Sequence, residues 1–332
     1  MTTATTMQAI RCNAWGTPET LALEALPLPT PQAGEVLIAI KAAALNFPDV
    51  LIIQKKYQFV PELPFTPGSE FAGVVVAVGE GARFAVGQKV MAFSGTGAFA
   101  THAIVSAKQV MPLPDAMDFE TAAAFTLTYG TSHHAVVDRA ALQAGETMLV
   151  LGASGGVGLA AIEIGKALGA RVIAAASSEE KLAVCRDHGA DATICYADNN
   201  MAALREAIKA ATDGKGPDVI YDPVGGVFAE PAFRSIAWRG RYLVVGFANG
   251  EIPKLPLNLT LLKGASLMGV FWGDFVRREP KAWLAAIGQM MGWLGEGKLR
   301  PHIGARYALK DVPLALQDMQ ARKIVGKALV LP

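Results

Sequence analysis

The chain has 332 residues, of which 52% are hydrophobic and 18% charged, and its formal net charge is +1. A chain of this length can bury a large core and predicts about two domains. The near-neutral charge gives no reason to expect a nucleic acid or an acidic membrane as partner, and three cysteines without a Cys-x-x-Cys pair exclude a disulfide framework.

The first third of the chain is predicted to be a compact, largely antiparallel β domain. It begins with MTTATTMQAI, which lacks the basic and apolar regions of a signal peptide, so we expect a cytoplasmic protein. Proline and glycine then punctuate the sequence in LPLPTPQAGE, VPELPFTPGSE and VGEGARFAVGQKV. Between them lie short β-type runs such as EVLIAIKAAAL, GVVVAVG and KVMAFSG.

The pattern changes near residue 118. DFETAAAFTLTYGTSHHAVV predicts a helix with Asp118 as its N-cap, and strands then alternate with helices from TMLVLGA to RYLVVGF. This alternation predicts a parallel sheet with helices on both faces. From about residue 268 the character is mixed again, and the chain closes with the strand GKALVLP. We expect an α/β protein in which a nucleotide-binding domain, 125–267, is inserted between two halves, 1–124 and 268–332, of a catalytic domain.

A glycine turn follows the strand TMLVLGA and opens a helix. Read from Ala153 it is A-x-G-x-x-G, the dinucleotide fingerprint with alanine in place of the first glycine. Gly155 allows a close approach of the pyrophosphate, Gly158 allows close helix–strand packing, and N–H groups at the helix N-terminus face the anion. The predicted cofactor-binding residues of the turn are Ala153, Ser154, Gly155, Gly156, Val157 and Gly158.

The same turn also matches the nucleophile elbow G-x-S-x-G of α/β-hydrolases. Asp222 and His302 follow it in the order that such a triad requires. The extra glycines of GGVG and the lack of an HGGG-type loop upstream argue against a hydrolase.

The stretch VIAAASSEEK decides which dinucleotide is expected. An NAD site places an Asp or Glu about 20 residues past the glycine turn, whereas this strand ends in Ala176. The hydroxyls of Ser177 and Ser178 and the ammonium of Lys181 suit a phosphate, which favours NADPH. The alternative is that a serine of the S-x-x-E capping box only starts a helix.

Several segments together resemble the zinc-free medium-chain dehydrogenase/reductases, in the NADPH quinone oxidoreductase branch. They include AAALNFPDVLIIQKKY, LPFTPGSEFAGVVVAVGEG, AAAFTLTYGT, LGASGGVGLAAIEIGKALGARVIAAASSEEKL, DPVGG and GRYLVVGF. The resemblance implies a GroES-like β domain plus a Rossmann domain with a doubly wound parallel sheet. It also implies hydride transfer from NADPH to a quinone or another conjugated carbonyl, in a homodimer paired through edge strands of the nucleotide domain.

Zinc enzymes of the same superfamily carry a cysteine where this chain has Asn46. They also carry a histidine after the glycine of a motif that here reads Gly68-Ser69-Glu70. The four-cysteine zinc lobe is absent as well, so we expect no metal.

The resemblance implies further site residues. Asn46 lies beside the nicotinamide with Asp49 supporting its loop, although Asn-x-Pro is also ordinary turn chemistry. Thr128 contacts the nicotinamide amide with Tyr129 nearby, unless the two are core residues. The other cofactor contacts that the resemblance implies are Tyr196 near the 2′-phosphate, Phe247, Val270 and Phe271 around the nicotinamide, and Lys327.

Tyr57 closes NFPDVLIIQKKY, at the position where the related 2-enoyl thioester reductases place a proton-donating tyrosine. A phenol is protonated at pH 7 and can supply a proton, but a tyrosine there also suits the wall of a quinone pocket. An enoyl thioester (enoyl-CoA or acyl-carrier) reductase and a non-catalytic NADPH-binding redox sensor therefore stand as alternatives to the quinone reductase.

Overall fold

The computed structural model describes residues 5–196 and 200–332. The chain divides into two units, one that runs to Leu127 and resumes at Ile303–Pro332, and one formed by Thr128–His302. The predicted division was 1–124 and 268–332 against 125–267. In the structure, residues 268–302 lie in the second unit, where the side chain of Gln289 bonds His133 and the backbone of Arg300 bonds Glu163.

The secondary structure follows the predicted alternation. In chain order the strands are β1 (Thr6–Arg11), β2 (Ala22–Pro27), β3 (Glu35–Ala44), β4 (Glu70–Val78), β5 (Lys89–Phe93), β6 (His102–Ser106), β7 (Val110–Pro112), β8 (Thr147–Val150), β9 (Arg171–Ala176), β10 (Ala192–Cys195), β11 (Val219–Asp222), β12 (Arg241–Val244), β13 (Ser266–Gly269), β14 (Ile303–Ala308) and β15 (Lys327–Leu331). The helices are α1 (Phe47–Ile52), α2 (Phe119–Ala123), α3 (Thr126–His133), α4 (Gly156–Ala167), α5 (Glu179–Asp187), α6 (Met201–Ala211), α7 (Ala229–Arg234), α8 (Asn258–Lys263), α9 (Trp272–Arg278), α10 (Pro280–Gly295) and α11 (Val312–Gln320).

The predicted helix after residue 118 is not continuous. Asp118 caps α2 as expected, since its carboxylate accepts from Thr121 N at 2.7 Å. However, α2 ends at Ala123, α3 begins at Thr126, and a wider π-helical turn, His134–Arg139, follows. The apolar pattern therefore predicted the helical character but not the two breaks.

The first unit is built on a mostly antiparallel sheet. Within the described residues its strands follow the order β14-β15-β3-β4-β5-β7, and β6 also pairs with β3. The C-terminal strand β15 pairs antiparallel with β3, which brings the last residues of the chain against its first third. Large apolar side chains such as Ile38, Phe71 and Val330 fill the core.

The second unit is a doubly wound α/β domain. In the described part of the chain, six parallel strands follow the order β10-β9-β8-β11-β12-β13, which is the strand order of dinucleotide-binding folds. Because the strands are parallel, their carboxyl ends meet at one edge of the sheet. No helix among the described residues is both long and apolar enough to span a membrane.

Candidate active site

The glycine turn joins β8 to α4 in the tight conformation that the sequence predicts. Gly152 has a φ of +57°, and Gly155 is the N-cap of α4. A Cβ at Gly158 would lie 2.6 Å from the carbonyl oxygens of Gly152 and Ala153, so only glycine allows the helix to come this close. The first amides of α4 have no partner within the helix and are suited to a pyrophosphate.

The end of β9 carries hydroxyls and an ammonium in place of an acid. Ala176 is buried, and the chain then turns into α5. Ser178 caps that helix by accepting from Lys181 N at 3.3 Å. A serine therefore starts the helix, but it is the residue after Ser177, the serine of the predicted S-x-x-E box, and Lys181 takes the place of the box glutamate. The ammonium of Lys181 donates to the hydroxyl of Ser177 at 3.2 Å, so two groups able to donate to an anion lie together just past the end of β9.

The other predicted residues of this unit follow neighbouring strands. Tyr196 follows β10, and its ring lies 4.7 Å from that of Phe228. Phe247 follows β12, and its ring lies 2.8 Å from where a Cβ on Gly225 would be, so this glycine is required there. Val270 and Phe271 follow β13. The fold thus brings the glycine turn and these strand-end residues to the carboxyl edge of one sheet.

Asp222 ends β11 at the same edge and shapes the turn DPVGG. Its carboxylate accepts from the backbone N–H groups of Val224 at 2.8 Å and Gly225 at 2.9 Å, and from the hydroxyl of Tyr242. Burial raises the pKa of Asp222. Because turn amides and a tyrosine occupy its oxygens, Asp222 is better explained as a turn-forming residue than as the acid of a hydrolase triad.

Thr128 and Tyr129 lie on α3, and both are buried. The hydroxyl of Tyr129 donates to Glu163 at 2.7 Å, and the other oxygen of that carboxylate lies 2.6 Å from His188 Nδ1. Burial and the charge of Glu163 raise the pKa of Tyr129 well above its ordinary value. These bonds favour the alternative in which Tyr129 is a core residue, and they form a buried network around Glu163 that the sequence did not indicate.

In the first unit, Asn46 stands at the junction of β3 and α1. Its backbone N–H donates to the carboxylate of Asp49 at 2.8 Å, which fixes the start of the helix. Its side chain is 4% exposed and lies between two charged groups. The carboxamide oxygen accepts from Lys327 Nζ at 2.6 Å, and the nitrogen donates to Glu70 Oε1 at 2.9 Å.

Asp49 and Tyr57 lie on and just after α1. The second carboxylate oxygen of Asp49 is buried and has no hydrogen-bond partner among the described residues. Burial raises the pKa of Asp49 to about 7, against the opposing effects of the Asn46 amide and Lys327. Burial, followed by the charge of Asp49, also raises the pKa of Tyr57, so its phenol stays protonated at neutral pH.

Glu70 bonds both Asn46 and Lys327, and the sequence pattern did not identify it as a candidate site residue. Its carboxylate accepts from Lys327 at 2.7 Å and, through the other oxygen, from the backbone N–H of Leu127 at 2.8 Å. In the sequence, Glu70 is visible only as the glutamate that ends the Gly-Ser-Glu motif. A role for it could not be predicted, because its partner Lys327 is 257 residues away in sequence.

This arrangement does not fit a catalytic zinc ion. The two positions that carry cysteine and histidine in zinc enzymes hold Asn46 and Ser69, and neither side chain provides a thiolate or an imidazole. The ammonium of Lys327 lies against the carboxamide and repels a cation. Across residues 5–196 and 200–332, no group of three His, Cys, Asp or Glu side chains is arranged to hold a metal.

Comparison with known proteins agrees with both units. Residues 32–115 match the family described as alcohol dehydrogenase GroES-like domain, and residues 156–289 match the family described as zinc-binding dehydrogenase.

Whole-chain relatives carry quinone oxidoreductase names. The quinone oxidoreductase-like protein 2 homolog of Nematostella vectensis is 36% identical over 97% of this chain and 88% of its own length. The quinone oxidoreductase of Homo sapiens is 33% identical and covers 98% of both chains. The crystal structure of the Escherichia coli quinone oxidoreductase complexed with NADPH has a TM-score of 0.91 and 27% identity, and covers 98% of this chain and 100% of that one.

Proposed function

The chain belongs to the quinone oxidoreductase family of medium-chain dehydrogenase/reductases, and from that premise we propose that it is an NADPH-dependent reductase that transfers hydride to quinones without a metal ion. The carboxyl edge of the parallel sheet carries this proposal. One feature of this edge is the turn into α4, where the close packing at Gly158 leaves no room for a side chain. The other is the end of β9, which has no acidic residue and is followed by the hydrogen-bonded pair Ser177 and Lys181.

The second unit supplies the groups that would hold NADPH. The N-terminal amides of α4 would bind the pyrophosphate, and the Ser177 hydroxyl and Lys181 ammonium would bind the 2′-phosphate, with Tyr196 beside them. Backbone groups around Phe247, Val270 and Phe271 would line the nicotinamide pocket. Bound NADPH supplies the hydride.

The first unit would supply a polar anchor, Asn46, and a phenol, Tyr57. Asn46 would contact the nicotinamide from a fixed loop, since its backbone is bonded to Asp49 and its side chain to Glu70 and Lys327. Tyr57 is protonated at neutral pH, as any phenol is, and burial raises its pKa further. It would either wall the acceptor pocket or donate that proton.

The test of this function is the rate of NADPH consumption with a small quinone, compared with that for a trans-2-enoyl-CoA at the same concentration. A much faster quinone rate supports the proposal and makes Tyr57 a pocket wall. A dominant enoyl-CoA rate, abolished by Tyr57→Phe, would favour the enoyl thioester reductase, in which the Tyr57 phenol would be the proton donor.

Two variants distinguish a non-catalytic NADPH-binding protein from both the quinone reductase and the enoyl thioester reductase. If Asn46→Ala or Tyr57→Phe lowers the rate of NADPH oxidation at least tenfold and leaves NADPH binding intact, the first unit carries the chemistry. If neither variant alters a measurable rate, the assignment of this active site is wrong. If the wild-type chain binds NADPH and oxidises it with neither acceptor, a sensor is the better description.

We also propose that the protein is a homodimer formed through the second unit. Strand β13 is an edge of the parallel sheet, and edge strands invite pairing with another chain. Exposed apolar side chains lie near it. Leu261 at 80% and Leu262 at 65% shortly precede the strand in sequence, and the ring of Trp238, 69% exposed, lies 3.3 Å from where a Cβ on Gly264 would be. Light scattering should show a dimer for the wild type and a monomer for Leu261→Asp/Leu262→Asp, and a wild-type monomer would overturn this assembly.

A further inference from the structure

Glu70 and Lys327 form an ion pair buried in the first unit. Lys327 is 4% exposed and Glu70 is 0% exposed, and they approach to 2.7 Å. The ammonium of Lys327 uses its three N–H donors on the Leu45 carbonyl at 3.2 Å, the Asn46 oxygen at 2.6 Å and Glu70. The two oxygens of Glu70 also accept hydrogen bonds from the Asn46 side chain and from the backbone N–H of Leu127. All the polar contacts named for the pair are therefore made to residues of the first unit.

The pair sets one orientation of the Asn46 carboxamide. Its oxygen faces the ammonium of Lys327, and its nitrogen faces the carboxylate of Glu70. A flipped carboxamide would place its NH₂ group against the ammonium and its oxygen against the carboxylate, so both contacts would become repulsive. In a buried site such charge-assisted bonds are strong, and the side chain cannot rotate without breaking both.

We propose that Glu70 and Lys327 are positioning residues for the reduction, acting through Asn46 by holding its carboxamide in one orientation. The inference rests on the proposed function, because Asn46 is the predicted contact to the nicotinamide. The competing explanation is structural: Glu70 lies on β4 and Lys327 on β15, the two strands that flank β3, so the pair also ties the sheet together.

The test uses the neutral double variant Glu70→Gln/Lys327→Met, because removing one partner alone leaves an uncompensated buried charge. In protein labelled with ¹⁵N-asparagine, the side-chain amide signals of Asn46 are assigned by their loss in Asn46→Ala. We expect one amide proton shifted downfield by the carboxylate and slow exchange with water in the wild type. In the double variant the downfield shift should be lost, and exchange should become at least tenfold faster.

Kinetics then separate positioning from a structural role. The double variant should lower kcat at least tenfold, to the value of Asn46→Ala, and should have no further effect when combined with Asn46→Ala. The matched control is Glu120→Gln/Arg306→Met, which removes an exposed ion pair of the same unit with a 2.6 Å contact. This control should keep both the wild-type rate and the Asn46 signals.

Unchanged Asn46 signals in the double variant, or losses in kcat that multiply in the Asn46→Ala background, would overturn the proposal. If the wild-type protein failed to oxidise NADPH with either the quinone or the enoyl-CoA, the proposed function would be overturned, and so would the positioning role. The amide signals would even then show whether the pair holds Asn46, so the two failures are distinguishable.

Discussion

Replacing Asp49 by asparagine should remove a pH dependence from the stability of the first unit. In the folded protein the pKa of Asp49 is about 7, against an ordinary value of 3.8. Between these two values the folded state holds a proton that the unfolded state has released. Stability from this group is therefore fully present below pH 3.8 and is lost as the pH rises through about 7.

The magnitude follows from the size of the shift. Each pKa unit corresponds to about 1.4 kcal/mol, so the free energy of unfolding should fall by roughly 4 kcal/mol across this window because of Asp49 alone. The estimate needs no reduction for solvent screening, since Asp49 is 1% exposed and one of its carboxylate oxygens has no donor among the described residues.

The assay is urea unfolding of the wild type and Asp49→Asn at intervals from pH 4 to pH 8, followed by circular dichroism. Asparagine keeps an oxygen that can accept from the Asn46 amide, so the variant removes the titration and retains the helix start. The difference in unfolding free energy between variant and wild type should change by several kcal/mol in favour of the variant as the pH rises.

Asp115→Asn is the control, because Asp115 is an exposed carboxylate of the same unit and its replacement leaves Asp49 in place, so this variant should keep the fall in stability as the pH rises. A difference between Asp49→Asn and the wild type that does not change with pH would refute the reasoning, because it would mean that Asp49 ionises in the folded protein as it does in water.

Variants at three further positions test the second unit. Lys181→Ala should weaken NADPH binding roughly tenfold to a hundredfold and leave NADH unchanged, since it removes one charge-assisted contact; calorimetric titration with Lys209→Ala as control checks this, and equal loss for both cofactors would contradict it. Gly158→Ala should lower both NADPH affinity and the melting temperature, because its Cβ would meet two carbonyl oxygens at 2.6 Å, whereas Gly288→Ala, with open space around it, should do neither. Glu163→Ala should destabilise the unit by about 3 kcal/mol by leaving the hydroxyl of Tyr129, the imidazole of His188 and the amide of Arg300 without their acceptor, and Glu163→Gln by less, as measured by urea unfolding.

The sequence by itself determined that the chain has one β domain and one α/β domain, and it identified the features at the carboxyl edge of the parallel sheet. Strand–helix alternation and the glycine turn depend on local patterns of 10 to 30 residues, so they predicted the parallel sheet, the α4 N-terminus and the acid-free end of β9. Parallel topology then makes the carboxyl ends coincide, so Tyr196, Phe247 and Val270, which the family resemblance implied, follow strands that end at the same edge.

Only the tertiary structure decided the rest. The second unit extends to His302, and the side chain of Gln289 on α10 bonds His133 while the backbone of Arg300 bonds Glu163. These contacts span more than 130 residues, and the local pattern of α10 does not say which domain it covers. Lys327 meets Glu70 and Asn46 because β15 pairs with β3, a contact across nearly the whole chain that leaves no local pattern. Burial in that cluster raises the pKa of Asp49, and burial depends on what packs around a residue, which its neighbours in sequence do not specify.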